Sequence, residues 1–129
     1  MRIVDRETFL AMPSGTIFAK FGGPDGDPDD AYYGDVCIKG MTCGNDFVVQ
    51  DLTAQFEGWT GSESNFAEIE RMASDPDHES PPLDYDSAGR DGLFDRRQRF
   101  AVWSRTDAER MIARLQQAVE EAASLPATA

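Results

Sequence analysis

The spacing of hydrophobic and polar residues predicts short helices and strands in the first half of the chain. A short helix is predicted over residues 5–12, with Asp5 as its N-terminal cap and with Phe9 and Met12 on its apolar side. Alternating apolar and polar positions then predict three strands, at 16–21, 32–40 and 46–56, with turns at 13–15 and 41–45.

The second half of the chain begins with a predicted helix over residues 63–72, which Ser62 or Ser64 can cap. A short strand is predicted at 83–86, after a polar loop. Glycines then mark a turn, and alternation resumes in a strand over 96–104.

A long amphipathic helix over Thr106–Ser124 is the clearest predicted element. Thr106 and Glu109 have the spacing of a capping box, in which each side chain satisfies a free backbone amide at the helix start. Its apolar stripe must either cover one side of the sheet or pair with the same helix of a second copy. The stripe consists of Ala108, Met111, Ile112, Leu115, Ala118, Val119 and Ala122.

Together these elements predict one α+β domain over residues 1–129. Strands joined by short, glycine-rich turns favour an antiparallel sheet, with the helices on one side of it. We expect four to five strands, a short N-terminal helix, a middle helix and a long C-terminal helix packed on one side. Residues 125–129 are expected to form a frayed tail.

The charge of the chain is strongly negative and unevenly distributed. The formal net charge is -12; residues 1–89 hold 5 basic and 18 acidic side chains, whereas residues 90–129 hold 7 and 6. Such a surface repels nucleic acid and anionic membranes within a Debye length of roughly 8–10 Å, so we expect direct binding to neither. A basic protein surface or a small anion in an arginine pocket remains a suitable partner.

The apolar runs and the cysteines indicate the cellular compartment. No run is long enough to span a bilayer, and the first ten residues lack the apolar core of a signal peptide. We therefore expect a cytoplasmic protein in which Cys37 and Cys43 are reduced, although a pair so close in sequence can bridge on oxidation.

Candidate metal ligands do not match known spacings. Asp25, Asp27 and Asp29 alternate as in a calcium loop, but Asp30 and Val36 occupy the positions that need glycine and glutamate. The sequence therefore predicts no metal site in this acidic loop.

Zinc and enzymatic chemistry are equally poorly supported. A structural zinc site takes four ligands, and Cys37, Cys43 and His78 supply only three soft ones. No nucleophile elbow, phosphate-binding loop or dinucleotide-binding motif occurs. We therefore predict no catalytic residue, no cofactor and no enzymatic activity, with His78 as an exposed surface residue.

Positive charge concentrates in residues 89–105, which contain five arginines. On a regular strand Arg97, Arg99 and Trp103 share one face, and Arg90 can swing to the same place. Two interpretations remain open: the arginines neutralise the acids of residues 1–89, or they bind phosphate while an aromatic ring stacks on a base. The second interpretation makes Arg90, Arg97, Arg99, Trp103 and Phe94 the ligand-binding residues.

Two segments of the chain, FLAMPSGTIFAKF at 9–21 and RDGLFDRRQRFAVWSRTDAERMIARLQQA at 90–118, resemble small bacteriophage-encoded accessory proteins. Such proteins often begin with a short helix, a P-x-G-T turn and a strand, and end in an F-x-V-aromatic strand followed by a capped helix. Within this class the chain is similar to the Thoeris anti-defence 1 group. Those proteins are non-enzymatic oligomers that bind a cyclic ADP-ribose-type signal and withhold it from host immunity. The resemblance implies a role in the host cell cytoplasm and assigns no role to an individual residue.

These observations lead to one hypothesis of function and one alternative. The first is a non-enzymatic, homo-oligomeric anti-defence protein that binds and sequesters a small phosphate-bearing, cyclic nucleotide. The alternative is an acidic protein-interaction module, or nucleic-acid mimic, that blocks a basic surface of a host protein. An enzyme would need a carboxylate with a raised pKa in a pocket.

Overall fold

The computed structural model describes residues 1–22 and 33–124. These residues form six strands and three helices, which confirms the predicted α+β class with an antiparallel sheet and adds one or two strands to the expected number. In chain order they are β1 (Arg2–Val4), α1 (Arg6–Leu10), β2 (Ile17–Phe21), β3 (Cys37–Cys43), β4 (Asp46–Asp51), α2 (Glu63–Ser74), β5 (Gly89–Arg90), β6 (Arg99–Val102) and α3 (Arg105–Ser124).

The strands lie in the order β1-β6-β2-β3-β4-β5, and every neighbouring pair is antiparallel. The two strands that the sequence pattern missed, β1 and β5, form the edges of the sheet. They have three and two residues, which is too short for an alternating pattern to appear.

The predicted turn at 41–45 is wrong, because β3 continues to Cys43 and only Gly44 and Asn45 form the turn. β3 and β4 remain paired across an irregularity between Lys39 and Thr42. A Cβ atom at Gly40 would lie 2.8 Å from the side chain of Val48, so glycine is required where the two strands approach each other.

Three other predicted strands, at 46–56, 83–86 and 96–104, are shorter in the structure than in the pattern. β4 ends at Asp51, and residues 83–86 contribute only an isolated bridge between Leu83 and Phe56. The predicted strand over 96–104 begins only at Arg99, because Arg96 and Arg97 form a turn.

The core is a cluster of phenylalanine rings between α1 and one face of the sheet. Alternation places Phe18 of β2, Phe47 of β4 and Phe100 of β6 on that face, and all three are buried. Asp5 caps α1 by accepting a 2.8 Å hydrogen bond from the Thr8 amide, as predicted, and α1 directs Phe9 into the cluster. The Phe9 ring stacks on Phe100 at 4.0 Å between centroids and meets Phe18 and Phe47 edge-on at 4.7 and 5.0 Å.

The long C-terminal helix does not cover the sheet, so this part of the fold prediction is wrong. None of the residues of α3 is buried in the described structure, and Ile112, Leu115 and Val119 are 61, 63 and 65% exposed. Its cap is Ser104, whose Oγ accepts a 3.1 Å hydrogen bond from the Asp107 amide, instead of the predicted Thr106. Pairing with a second copy stays a prediction, and the expected tail at 125–129 lies outside the described residues.

No helix within the described ranges is both long enough and apolar enough to cross a membrane.

Phe9→Ala is expected to destabilise the protein by about 3–5 kcal/mol, because the substitution leaves a cavity among the phenylalanine rings. Urea denaturation followed by circular dichroism measures this change. Phe66→Ala is the matched control: Phe66 is 55% exposed, and its loss should cost about 1 kcal/mol or less. Equal costs for the two substitutions would contradict this description of the core.

Candidate functional site

The arginine-rich stretch contains the connection between two strands that are not neighbours. β5 is an edge strand, and β4, β3 and β2 separate it from β6. Residues 91–98 therefore pass across the sheet, beside α1 and the β3–β4 turn. Two buried aspartates, Asp46 on β4 and Asp91 in the connection, anchor this segment to the rest of the fold.

Asp46 is the first of these aspartates and is almost fully buried at the start of β4. Its carboxylate accepts hydrogen bonds of 3.0 Å from the Gly92 amide and 2.8 Å from Arg90 Nε. The Gly92 amide, with help from the Arg90 guanidinium, holds the pKa of Asp46 below its ordinary value. Arg90 is thus engaged by a carboxylate, as the neutralising interpretation expects.

Asp91 is the second aspartate and faces the core side of the sheet. Its carboxylate lies 2.7 Å from Lys20 Nζ and 4.0 Å from Arg6 Nη1. Arg6 is buried; its Nη2 donates a 2.5 Å hydrogen bond to the Asn45 carbonyl, and its guanidinium lies 5.6 Å from the centre of the Phe47 ring. Because buried charges require partners, this cluster fixes α1, β2 and the connection to one another.

The structure does not bring the predicted ligand-binding residues into one group. Arg90 lies on β5, which three intervening strands separate from Arg99 on β6, and the Arg99 guanidinium lies over the Phe21 ring at 5.2 Å. Arg97 occupies the turn before β6 and does not continue the face of Arg99 and Trp103. The expected convergence fails because the chain must cross the sheet between Arg90 and Arg99.

Trp103 and Phe94 line two different pockets. Trp103 borders an open pocket of about 470 Å³ at the start of α3, together with Arg2 and Arg105. Arg105 Nε donates a 2.8 Å hydrogen bond to Glu109 Oε1, so one of the two arginines in this pocket already has a carboxylate partner.

Phe94 borders a pocket of about 510 Å³ between α1, the β3–β4 turn and the connection. Phe94 has a φ of 53°, a left-handed conformation that is unfavourable for a bulky side chain by about 1–3 kcal/mol. Its ring is nevertheless 55% exposed. The residues lining this pocket are Arg6, Glu7, Leu10, Asn45, Phe94 and Arg96.

The two arginines of the Phe94 pocket differ in whether their guanidinium groups already have partners. Arg6 is held by Asp91 and the Asn45 carbonyl, so its guanidinium is oriented in advance. Arg96 is exposed and forms no ion pair within the described part of the chain. One fixed and one available arginine beside an exposed ring can bind an anion that carries an aromatic group. The ligand-binding residues predicted from the sequence included neither Arg6 nor Arg96.

Lys39 is a buried charge that the sequence analysis did not single out. Its Nζ donates hydrogen bonds of 3.0 Å to the Met12 carbonyl, 3.1 Å to the Gly40 carbonyl and 2.8 Å to Thr42 Oγ1. Burial lowers the pKa of Lys39. These bonds join the residues just after α1 to β3, which is a structural role. The only sequence feature that indicates burial of Lys39 is its position on the same strand face as Cys37.

The cysteines lie at opposite ends of β3. At about 3.3 Å per residue their Cα atoms are roughly 20 Å apart, whereas a disulfide needs less than about 7 Å. The two thiols of one chain therefore cannot bridge in this fold. Burial, reinforced by Asp51 and Asp35, raises the pKa of Cys37 to about 11.

The remaining candidate metal ligands do not form a cluster. His78 is half-buried, and its Nε2 lies 2.7 Å from Glu68 Oε1, so it is not the exposed surface residue that was predicted. Among residues 1–22 and 33–124, no group of three or more His, Cys, Asp or Glu side chains is arranged to hold a metal. Asp25, Asp27 and Asp29 lie outside the described residues.

Comparison of the chain with protein-family models, with curated proteins and with solved structures gives no significant match. The function of this chain is therefore inferred from its own residues and their geometry. The Phe94 pocket is the site where that geometry joins an available arginine to an exposed aromatic ring.

Asp46→Asn is expected to lower the Tm at pH 7, because it removes the charge that holds Arg90 and the Gly92 amide. The folded-state pKa of Asp46 is depressed, so its contribution is present above the unfolded-state pKa of about 3.9 and disappears as the pH falls through the folded-state pKa. Thermal unfolding of both proteins between pH 7 and pH 2 measures the effect.

The Tm difference between wild type and Asp46→Asn should shrink progressively below about pH 4. The exposed residue Asp77 supplies the control, and Asp77→Asn should leave the Tm nearly unchanged throughout. A wild type and an Asp46→Asn variant with the same Tm at pH 7 would show that Asp46 does not fix the connection.

Proposed function

We propose that this protein binds and sequesters a small phosphate-bearing, cyclic nucleotide in the Phe94 pocket, without converting it chemically. One observation carries the proposal: an exposed aromatic ring on a strained backbone, a buried arginine and an available arginine border the same pocket of about 510 Å³. Pockets that take small molecules typically measure about 300–1,000 Å³. A ligand of the size of a mononucleotide therefore suits the volume of this pocket.

Each group in the pocket has a complementary part of the ligand. Arg96 donates two parallel hydrogen bonds to a phosphate, and Arg6 adds a fixed positive charge behind it. The Phe94 ring offers a flat surface on which a base stacks, and such a contact contributes about 1–3 kcal/mol. Asn45 lies at the pocket wall, and its side-chain amide can hydrogen-bond the edge of the base.

The charge of the pocket favours a phosphate of low negative charge. Glu7 lines the same pocket, and Asp91 lies near Arg6, so the two arginines are partly compensated. A phosphodiester within a cyclic nucleotide carries one negative charge, whereas a triphosphate brings several that Glu7 and Asp91 repel. The site therefore suits cyclic nucleotides better than ATP.

Backbone strain at Phe94 supports a role in binding. Glycine adopts a φ of 53° without steric strain, whereas the phenylalanine at position 94 does not. Strained residues concentrate at ligand sites, where the surrounding structure maintains them. Here the anchors at Asp46 and Asp91 maintain the strain.

Sequestration is the role that the resemblance to phage anti-defence proteins supports. In such a role the protein withholds a nucleotide signal from host immunity in the host cytoplasm, and no catalytic group is needed. The extent of sequestration then depends on the affinity for the nucleotide and not on catalytic turnover.

Binding is tested by isothermal titration calorimetry with cyclic ADP-ribose, 3′,5′-cyclic AMP and ATP. At least one cyclic nucleotide should bind more tightly than ATP, and at 100 times its Kd it should stabilise the protein by about 2.7 kcal/mol. Arg96→Ala should weaken binding by roughly 10- to 100-fold, because a charged hydrogen bond contributes about 1.5–3 kcal/mol. Phe94→Gly should weaken binding while raising the Tm, since it relieves the strained backbone.

Arg114→Ala is the control, because it removes an exposed positive charge from α3 and should not change binding. Absence of binding by every cyclic nucleotide at millimolar concentration would contradict the proposed function. A loss of binding in Trp103→Ala, with none in Phe94→Gly, would move the site to the pocket at the start of α3.

A second candidate function is supported by the acidic segment 57–86. This segment holds nine Asp and Glu residues and one arginine, and Glu63, Glu70, Asp77 and Asp86 are exposed. Such a surface fits a basic surface of a host protein, which is the alternative that the charge of the chain suggested.

The second candidate is tested by pull-down from host lysate at 50 and 300 mM salt. This function requires capture of one basic partner at 50 mM salt and its loss at 300 mM. A triple variant, Glu63→Lys, Glu70→Lys and Asp77→Lys, should no longer capture that partner. Capture by this triple variant at the wild-type level would contradict it. The same variant should bind cyclic nucleotides normally, which separates the two functions.

A further inference from the structure

Another pocket lies beside β4 and β5 and takes no part in the function proposed for the Phe94 pocket. It measures about 690 Å³, which is within the range of pockets that hold small molecules. The end of β4, the loop that follows it and the residues before β5 form its walls. The lining of this Trp59 pocket includes Val49, Asp51, Ala54, Trp59, Asp84 and Ala88.

Backbone hydrogen bonds join the two chain segments that form the Trp59 pocket. The Glu57 amide donates a 2.8 Å hydrogen bond to the Pro82 carbonyl. The Asp84 amide donates a 2.7 Å hydrogen bond to the Gln55 carbonyl. Because these bonds lie on either side of the buried residue Phe56, the walls of the pocket are held in place before any ligand binds.

The Trp59 pocket contains two negative charges without a positive partner. Within residues 1–22 and 33–124, neither Asp51 nor Asp84 forms an ion pair, and the lining includes no lysine, arginine or histidine. Hydrogen bonds from Ser87 and from the Asp86 amide hold the pKa of Asp84 below its ordinary value. Its carboxylate is therefore ionised at neutral pH and available to a cation.

The hydrogen bonds of the two carboxylates favour an ammonium group over a guanidinium group. Asp51 Oδ1 accepts a 2.8 Å hydrogen bond from the Thr53 amide. Asp84 Oδ1 accepts bonds of 2.9 and 3.0 Å from the amides of Asp86 and Ser87. One oxygen of each carboxylate is thus already engaged. A guanidinium group binds best to both oxygens of a carboxylate, whereas an ammonium group needs only one acceptor.

Trp59 gives the pocket an aromatic surface between these charges and the core. Its side chain is half-buried, and its ring is nearly perpendicular to the rings of Phe56 and Phe66, at 5.3 and 5.5 Å between centroids. Tryptophan is the aromatic residue that attracts an ammonium ion most strongly. Val49 and Ala54 add apolar lining, against which the methylene groups of an aliphatic amine can pack.

An organic cation fits the Trp59 pocket better than a metal ion does. Calcium and magnesium take roughly six or more oxygen ligands, and in the described part of the chain no three acidic side chains are grouped to hold a metal. Two ammonium groups on one flexible aliphatic chain match two carboxylates in one pocket. The net charge of -12 also raises the concentration of cations near the protein surface.

We propose that the Trp59 pocket binds a small aliphatic diamine or polyamine, with ammonium groups at Asp51 and Asp84 and with methylene groups against Trp59. This site does not depend on the function proposed for the Phe94 pocket, with which it shares no lining residue in the described structure. It also differs from capture of a basic host protein, because the side chains reversed to test that capture do not line the pocket.

Isothermal titration calorimetry with putrescine, spermidine and butylamine tests the site, at about 150 mM salt to screen diffuse attraction. Putrescine or spermidine should bind to one saturable site with a Kd of about 1 mM or lower. Butylamine has only one ammonium group and should bind at least about tenfold more weakly, because it leaves one carboxylate without a partner.

Substitutions at the two aspartates test their roles in binding. Asp51→Asn and Asp84→Asn should each weaken binding by roughly tenfold, because each removes a charge-assisted hydrogen bond. Asparagine keeps an Oδ1 that accepts the backbone amides, so both variants should retain the fold, which circular dichroism checks. Asp77→Asn is the matched control: it removes the same charge from an exposed position outside the pocket and should change binding by less than about twofold.

Tryptophan fluorescence shows where the amine binds. The chain has two tryptophans, so a Trp103→Phe variant emits from Trp59 alone, and its emission should change on saturation with spermidine. Unchanged emission at saturation would overturn the proposal, as would the absence of saturable binding by both putrescine and spermidine. Equal losses of binding in Asp77→Asn and Asp84→Asn would also overturn it, because they indicate diffuse attraction to the acidic surface.

Discussion

Two buried aspartates, Asp46 and Asp91, fix the connection between β5 and β6, and the surrounding arginines take their positions from them. Asp46 binds Arg90 and the Gly92 amide, while Asp91 lies between Lys20 and Arg6. These contacts join α1, β2, β4 and the connection around one edge of the phenylalanine core. A buried carboxylate without such partners would cost several kcal/mol, so the charges and the path of the chain depend on each other.

The arginines of this acidic protein thus lie in two kinds of setting. Arg6 and Arg90 stabilise the fold, since each lies beside a buried carboxylate. Arg96 forms no ion pair within the described residues and lies beside Phe94 in a pocket. The two settings are adjacent in the chain, because Asp91 and the Gly92 amide are anchored two to three residues before Phe94. Phe94 itself has a left-handed conformation that a bulky side chain disfavours.

Local sequence patterns predicted the elements that local forces determine. The Asp5 cap, the alternation in β2 and the periodicity of α2 and α3 each act within a few residues, and the α+β class followed from them. The two edge strands were too short to show a pattern. The pairing of Arg90 with Asp46 joins residues 44 positions apart, and the path between β5 and β6 depends on strand order, which local patterns do not encode. For the same reason the sequence placed Arg90 beside Arg99.

The central claim is that the Asp46 and Asp91 contacts fix the connection in solution. Amide hydrogen exchange at Gly92, followed by NMR at pH 7, tests it most directly, because that amide donates a 3.0 Å hydrogen bond to Asp46. The Gly92 amide should exchange slowly in the wild type and lose its protection in Asp46→Ala. Exchange of Gly92 in the wild type at the rate of an unstructured peptide would contradict the claim.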